Sequence, residues 1–212
     1  MDETLREQTR RKLVREIAQA IEPLERDLSA LGFSLRTFRD VIKSGKRYTE
    51  AIPILLAWLP RLPEVAKEEV VRALTVPWAK PLAAPVLIEE FTRASDDSLR
   101  WAIGNALDTV ADYSVLERMI EIAMDRQFGS ARQMVVMALG KFKDFRCEDA
   151  ALRLLNDEEV AGHAVVALRR LRSMRALSAL EVMKSHPKAW VRSEAKKAIA
   201  AISKPQKSSL VM

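Results

Sequence analysis

The sequence predicts an all-α protein, a right-handed solenoid of about five helical hairpins with a helical cap at its N-terminal end. Three observations favour this fold class: a repeat of 29 to 33 residues, an apolar stripe at helical spacing in every repeat, and no two-residue alternation of the kind that marks strands. The composition agrees, because 49% of the 212 residues are hydrophobic while only six Gly and nine Pro are present.

Alanine-centred pairs mark the repeat. They are Ala73-Leu74, Ala106-Leu107, Ala138-Leu139, Ala167-Leu168 and Ala198-Ile199. With each alanine as position 0, positions −7, −3 and +4 are apolar in every copy, which is the spacing of one helix face. A second helical pattern precedes each of these helices, over residues 49–59, 79–93, 114–126, 146–155 and 174–185. One hairpin cannot bury both of its faces alone, so the repeats are expected to stack.

The N-terminal segment does not fit the repeat. An amphipathic helix is predicted over most of residues 4–31, with Pro23 bending or dividing it, and a short second helix over 35–43. A solenoid needs a modified terminal unit to cover its first core face, so we interpret this segment as a cap. The alternative is a helix that captures a partner or forms a dimer. The predicted domain bounds are 1–48 for the cap, 49–203 for the repeats and 204–212 for a flexible tail.

A recurrent motif opens several of the second helices. The motif is seen in Asp96-Asp97-Ser98-Leu99-Arg100 before Ala106-Leu107, in Ala131-Arg132 before Ala138-Leu139-Gly140, and in Val191-Arg192 before Ala195 and Ala198. These residues resemble short HEAT-like repeats of the type found in phycobilisome lyases. The resemblance covers residues 49–203 and implies the repeat fold while saying little about function. The sequence departs from the HEAT-like pattern after Val160, where Ala161 replaces the basic residue.

Basic residues recur at position −6, on the border of the apolar stripe. They are Lys67, Arg100, Arg132 and Arg192. Because this border faces the next repeat, we expect these side chains to pair with acidic residues at helix starts, as a ladder along the solenoid. Partly buried ion pairs of this kind define packing geometry more than they stabilise it.

Groups with catalytic chemistry are scarce. Cys147 is the only cysteine, and His163 and His186, the only histidines, have no carboxylate or cysteine at metal-ligand spacing. No Gly-rich phosphate loop and no Gly-x-Ser-x-Gly motif occurs. Adjacent acidic residues on a helix do not converge on one substrate atom, so three acidic pairs are interpreted as helix-surface or cap residues. These pairs are Glu68-Glu69, Glu89-Glu90 and Glu148-Asp149. We predict a protein that is not an enzyme and that holds neither cofactor nor metal.

The cellular context is predicted from what the sequence lacks. No apolar run approaches the roughly 18 residues of a membrane span, and the first residues have no signal-peptide pattern. A single cysteine suits a reducing compartment. We therefore expect a cytoplasmic protein that does not bind membranes.

Positions −5 and −1 of the second helices point away from the apolar stripe, toward the predicted concave surface. Trp101, Met137 and Val166 are apolar residues at these solvent-facing positions, and Asn105 and Gln133 are uncharged amides beside them. Such groups are typical of a recognition surface, so we predict a ridge that binds a protein or peptide. The alternative for Trp101 is that its ring folds back and is buried. Gly162 also stands at position −5. The predicted ridge comprises Glu68, Arg72, Trp101, Asn105, Gln133, Met137, Val166, Ser193 and Lys197.

Positive charge is concentrated at the C-terminal end. Residues 161–212 carry 11 basic and 2 acidic side chains, a net charge of +9 in a chain whose total is +6. This region is interpreted as a solvated basic face, with nucleic-acid binding as the alternative function. A subunit of a lyase-like enzyme is a third alternative. The candidate nucleic-acid patch comprises Arg169, Arg170, Arg172, Arg175, Lys188, Arg192, Lys196 and the ridge residue Lys197.

Overall fold

A computed structural model of the chain describes residues 3–33, 38, 40–41 and 47–204. Within these residues the regular structure is helical, with 11 α-helices, short 3-10 turns and no strand. The chain forms two compact units, residues 1–112 with α1 to α5 and residues 113–212 with α6 to α11. The helices are α1 (Glu3–Ala30), α2 (Ile52–Trp58), α3 (Glu64–Leu74), α4 (Ala83–Arg93), α5 (Asp97–Val110), α6 (Leu116–Met124), α7 (Gln133–Ala138), α8 (Phe145–Leu154), α9 (Ala161–Leu171), α10 (Leu177–Met183) and α11 (Ala189–Ile202).

Each predicted hairpin is present in the structure. The second helices are α3, α5, α7, α9 and α11, and the helices before them are α2, α4, α6, α8 and α10. Four of the latter begin up to four residues later than predicted, because a 3-10 turn occupies the predicted start. These turns are Thr49–Ala51, Pro77–Ala79, Tyr113–Val115 and Met174–Ala176.

The apolar stripe forms the core of both units. Positions −7, −3 and 0 are buried in all five repeats, as the helical spacing predicts, although position −7 precedes the first residue of α7 and of α9. The prediction is wrong at two of the five +4 positions, since Pro77 is exposed and Leu171 is half-buried. Helix α3 ends at Leu74, so Pro77 opens the next 3-10 turn instead of continuing the stripe. Leu171 is the last residue of α9, where the chain turns away.

Helix α1 packs on the first hairpin with only its C-terminal half. It packs against α2 and α3 and buries Ile21, Leu24 and Leu28, while residues 5–16 are exposed. The helix runs through Pro23 without being divided, because burial on either side offsets the hydrogen bond that proline removes. The short helix predicted over 35–43 lies outside the described residues except at 38, 40 and 41, and most of the predicted tail, residues 205–212, also lies outside them.

Three of the four basic residues at position −6 donate hydrogen bonds to main-chain carbonyls. Each carbonyl lies in or just after the last turn of the preceding helix, where carbonyl groups lack intrahelical partners and the helix dipole favours a cation. The three contacts are Arg100 to Phe91, Arg132 to Ala123 and Arg192 to His186, at 3.4, 2.9 and 2.8 Å. The basic residue at position −6 therefore links its helix to the end of the preceding helix, a role that the sequence did not predict.

The expected ladder of acid–base pairs is present in part. Arg132 reaches Asp157, in the turn before the next second helix, at 2.7 Å. Lys67 reaches Glu90 on α4 at 2.5 Å, whereas Arg100 pairs with Asp97 on its own helix. Glu90 is only 2% exposed, so its interpretation as a surface residue is wrong. Its carboxylate is buried because Lys67 supplies the opposite charge there.

Candidate functional site

Four predicted ridge residues of the first unit line one cleft of about 360 Å³. Helix α3 contributes Glu68 and Arg72, and α5 contributes Trp101 and Asn105. The Trp101 side chain is 44% exposed, so its ring does not fold back into the core. Sequence analysis missed the remaining lining residues, Thr75, Ser98 and Ala102. Ser98 and Ala102 lie one helical turn from ridge positions, and that spacing is the signal that could have found them. We call this site the Trp101 cleft.

The side chains of the Trp101 cleft are suited to binding more than to catalysis. Arg72 donates to Glu68 through Nη2 at 2.5 Å and Nε at 3.2 Å, so the two charges offset each other within one helix. Asn105 is exposed and its amide can both donate and accept hydrogen bonds. The indole beside it offers a large apolar surface. The cleft therefore combines apolar area with polar groups that can satisfy a peptide backbone.

The ridge positions of the second unit are more covered. Gln133, Met137 and Val166 are half-buried, and Gln133 Nε2 donates to the carbonyl of Glu159 at 2.9 Å. Ser193 and Lys197 on α11 are exposed, and Lys197 Nζ lies 2.7 Å from Glu194. These side chains leave less apolar surface to solvent than Trp101 does.

Gly162 is buried, although position −5 was expected to point away from the core. The ring of Trp190 covers it, and a Cβ at Gly162 would lie 1.9 Å from Cη2 of that ring. Trp190 also contacts His163 edge to face, with ring centroids 5.3 Å apart. The absence of a side chain at Gly162 thus makes room for a tryptophan from the next hairpin, and this position offers no binding surface.

The residues of the predicted basic patch contact different neighbours. Arg169, Arg175 and Lys197 face carboxylates, with Arg175 held by both Glu148 at 2.9 Å and Asp149 at 2.8 Å. The others donate to carbonyls, in the contacts Arg170 to Met137, Arg172 to Lys204, Lys188 to Glu158, and Arg192 to His186 and Pro187. Lys196 is exposed on α11. The described contacts do not gather these side chains around one anion.

Cys147 is buried, and its thiol is unreactive at neutral pH. Burial raises the pKa of its thiol to about 12, so the reactive thiolate is not formed at neutral pH. The described residues contain no group of three or more His, Cys, Asp or Glu side chains arranged to hold a metal ion.

His163 is held in its neutral form. Burial, with a smaller effect of the Lys188 charge, lowers the pKa of His163 to about 4. Among the described residues, its Nδ1 is a buried atom without a hydrogen-bond partner. His163 is thus a residue at the edge of the core, packed on Trp190.

This lowered pKa predicts an acid-sensitive fold. Below the ordinary histidine pKa of about 6.5, the imidazole of His163 binds a proton in the unfolded chain but stays neutral in the folded chain. The free energy of unfolding therefore falls as pH drops from about 6.5 toward 4. Between pH 7 and 5, the wild type should lose about 2 kcal/mol more of its free energy of unfolding than His163→Gln does. Urea unfolding at both pH values measures the difference. Equal losses in the two proteins would contradict the expectation.

Comparisons with known proteins identify the fold. No protein-family model matches the chain, and no curated protein is similar to it. A designed armadillo repeat protein of known structure is similar, with a TM-score of 0.50, 15% sequence identity, and coverage of 95% of this chain and 94% of that one. At this identity the likeness shows the fold alone: the chain is an all-helical repeat solenoid, which confirms the predicted fold class.

The helices of the described residues were also compared with what a lipid bilayer requires. None of them is both long enough and apolar enough to cross a membrane.

Proposed function

We propose that this protein is a non-enzymatic scaffold that holds a protein or peptide partner in the Trp101 cleft. The observation that carries the proposal is the exposed indole of Trp101 beside the exposed amide of Asn105. Tryptophan dominates the energetics of recognition surfaces because one side chain buries a large apolar area. Repeat solenoids present extended surfaces of this kind.

The dimensions and chemistry of the cleft favour a peptide. Its volume of about 360 Å³ is at the lower end of the range for ligand pockets and suits one or two side chains. Asn105 can accept from a backbone N–H and donate to a backbone carbonyl, while Trp101 packs on an apolar side chain. Glu68 and Arg72 are engaged with each other, so we assign them a role at the polar edge and no catalytic step.

The repeat type proposed here is HEAT-like, with 1–48 as cap, 49–203 as repeats and 204–212 as tail. Two motif residues support it: Asp96 caps α5 by accepting from the N–H groups of Ser98 and Leu99, and Arg100 donates to Phe91. A cytoplasmic location is part of the proposal. Within residues 113–212, the predicted ridge residues are proposed to contact a partner too; they are Gln133, Met137, Val166, Ser193 and Lys197.

Photo-cross-linking tests this function. A benzophenone amino acid in place of Ser98, which lines the cleft, should cross-link a protein partner from a nuclease-treated extract of the native host. Adding Trp101→Ala should reduce the cross-linked yield by about tenfold, as loss of a central tryptophan contact predicts.

Leu82→Ala is the matched control, because Leu82 is an exposed apolar residue of the same unit outside the cleft. It should leave the yield unchanged. A yield that is equal in the Trp101 and Leu82 variants, or that disappears after nuclease treatment, would defeat the proposal.

Nucleic-acid binding is the second candidate, favoured by the net charge of +9 over residues 161–212. It has less support, because Arg169, Arg175 and Lys197 already face carboxylates. Phosphate binding would weaken steeply as salt rises. Anisotropy of labelled duplex and single-stranded probes at two salt concentrations distinguishes this candidate from the first.

A further inference from the structure

A second cleft lies within residues 113–212, where loops and helix starts meet. Its volume is about 510 Å³, and two of its lining side chains are among the most exposed large apolar residues of the unit, Phe145 at 70% and Met174 at 64%. Phe145 begins α8 and Met174 begins a 3-10 turn, so neither lies on the ridge. We call this site the Phe145 cleft. Large apolar side chains exposed in one concavity mark an interaction site.

Four basic residues line the same cleft. Lys141 and Lys143 follow α7, and Arg170 and Arg172 lie at the end of α9. The whole unit has the same sign, since residues 113–212 carry 18 basic and 11 acidic side chains. The apolar pair is therefore surrounded by positive charge.

The two carboxylates in the lining do not cancel this charge. Asp144 accepts from Arg146 at 2.9 and 3.0 Å, and Glu148 accepts from Arg175 at 2.9 Å. The hydrogen bond from Arg146 keeps the pKa of Asp144 below its ordinary value. Arg146 and Arg175 lie outside the lining and are also shared with Glu117 and Asp149, so the positive excess is that of four basic over two acidic lining residues.

Arg172 is the C-cap of α9. Its backbone is left-handed, with φ 55° and ψ 42°, a conformation that costs a non-glycine residue about 1 kcal/mol. Its guanidinium donates to the carbonyl of Lys204 at 2.5 Å. The N–H of Ser173 donates to the carbonyl of Leu168 at 3.1 Å, so this conformation ends α9 in the manner of an ordinary helix C-cap and holds Arg172 at the edge of the cleft.

We propose that the Phe145 cleft binds an acidic peptide segment of a partner protein. One apolar side chain of that segment packs against Phe145 and Met174, and carboxylates on either side of it are attracted by the net positive charge of the lining. This is a second binding site, separate in residues from the Trp101 cleft and independent of the function proposed for it.

A peptide fits these observations better than a nucleic acid does. Single-stranded nucleic acids stack successive bases on several aromatic rings, whereas Phe145 is the one aromatic residue among the described lining residues. Met174 is flexible and polarizable and adapts to apolar side chains of varied shape. A continuous phosphate backbone would also approach Asp144 and Glu148, which separate carboxylates on a peptide can avoid.

A random peptide library displayed on phage, selected against the full chain at low salt, tests the proposal. Enriched peptides should combine an apolar residue with an excess of aspartate and glutamate, and their affinity should fall as salt rises. In fluorescence anisotropy with labelled peptides, Phe145→Ser and Lys143→Glu should each raise the Kd about tenfold.

Two controls locate the effect. Val182→Ser removes an exposed apolar residue of α10 outside the cleft, and Trp101→Ala removes the centre of the other cleft. Both should leave the Kd unchanged.

The proposal is overturned if no peptide is enriched, if neutral or basic peptides are selected, or if Phe145→Ser binds as tightly as the wild type. It is also overturned if a single-stranded oligonucleotide displaces the selected peptides at equal concentration. Peptides that lose affinity only in Trp101→Ala would support the first function and overturn this one.

Discussion

Arg132→Met is expected to destabilise the fold by about 3–5 kcal/mol, the cost of breaking a buried ion pair by removing one partner. The Arg132 side chain is fully buried and donates to the carbonyl of Ala123 at 2.9 Å and to Asp157 at 2.7 Å. Methionine fills a similar volume without donors, so both oxygen acceptors lose their bonds. Urea unfolding followed by circular dichroism measures the loss.

Asp157 explains why the loss is large. Burial alone would raise the pKa of its carboxyl, but hydrogen bonds from Arg132 and the N–H of Glu159 hold that pKa below its ordinary value. The stabilisation that this pair contributes is therefore present above the unfolded pKa of about 3.9 and is lost as pH falls through the folded value. In the variant, a buried carboxylate at pH 7 has lost its principal counter-charge.

Arg126→Met is the matched control. Arg126 also reaches Asp157, at 3.4 Å, but its side chain is exposed, so its removal should cost no more than about 1 kcal/mol. The double variant Arg132→Met with Asp157→Asn should recover part of the loss, because no unpaired charge then remains. If Arg132→Met and Arg126→Met lower the free energy of unfolding by the same amount, the buried pair does not have the role assigned to it.

Gly140→Ala is expected to cost about 1–3 kcal/mol, as overpacking does in a well-packed core. A Cβ at Gly140 would lie 2.8 Å from both Cα and the carbonyl oxygen of Ala167, on α9. These are backbone atoms inside a helix, which cannot move without disturbing the packing of α9. The close approach of the Gly140 turn to α9 therefore requires glycine. Thermal and urea unfolding measure the effect.

Gly162→Ala is the contrasting substitution. Its Cβ would overlap the tip of the Trp190 ring, and that ring is partly exposed and can swing outward. We expect a stability change within about 1 kcal/mol of zero, since a helical alanine offsets part of the lost contact. The tryptophan fluorescence should change as the ring moves. If the Gly140 variant were as stable as the Gly162 variant, the backbone of α9 would be able to move and accommodate the added Cβ, which would contradict the prediction.

The two clefts differ in how far the sequence could predict them. Trp101 and Asn105 stand at periodic positions, so helical spacing alone placed them away from the core, together with Glu68 and Arg72. Phe145 and Met174 lie at the starts of the other helices, outside the periodic register. Their proximity depends on how the turns of two successive hairpins approach each other, and no local spacing encodes that approach.

What the amino-acid sequence determined by itself is the helical framework. An apolar residue at every third or fourth position makes a helix with one buried face, and the recurrence of that pattern makes hairpins that bury their faces on one another. The burial of the alanine at position 0 in all five second helices follows from this alone.

The tertiary structure alone decided which polar groups entered the core and which surfaces stayed open. Lys67 meets Glu90 across 23 residues and Arg132 meets Asp157 across 25, and the Trp190 ring fills the space above Gly162. Each contact joins side chains from different helices or turns, at separations set by packing and by turn geometry. Helical periodicity acts over a few residues, so it predicts which face of a helix is buried but not which side chain from the next hairpin covers it.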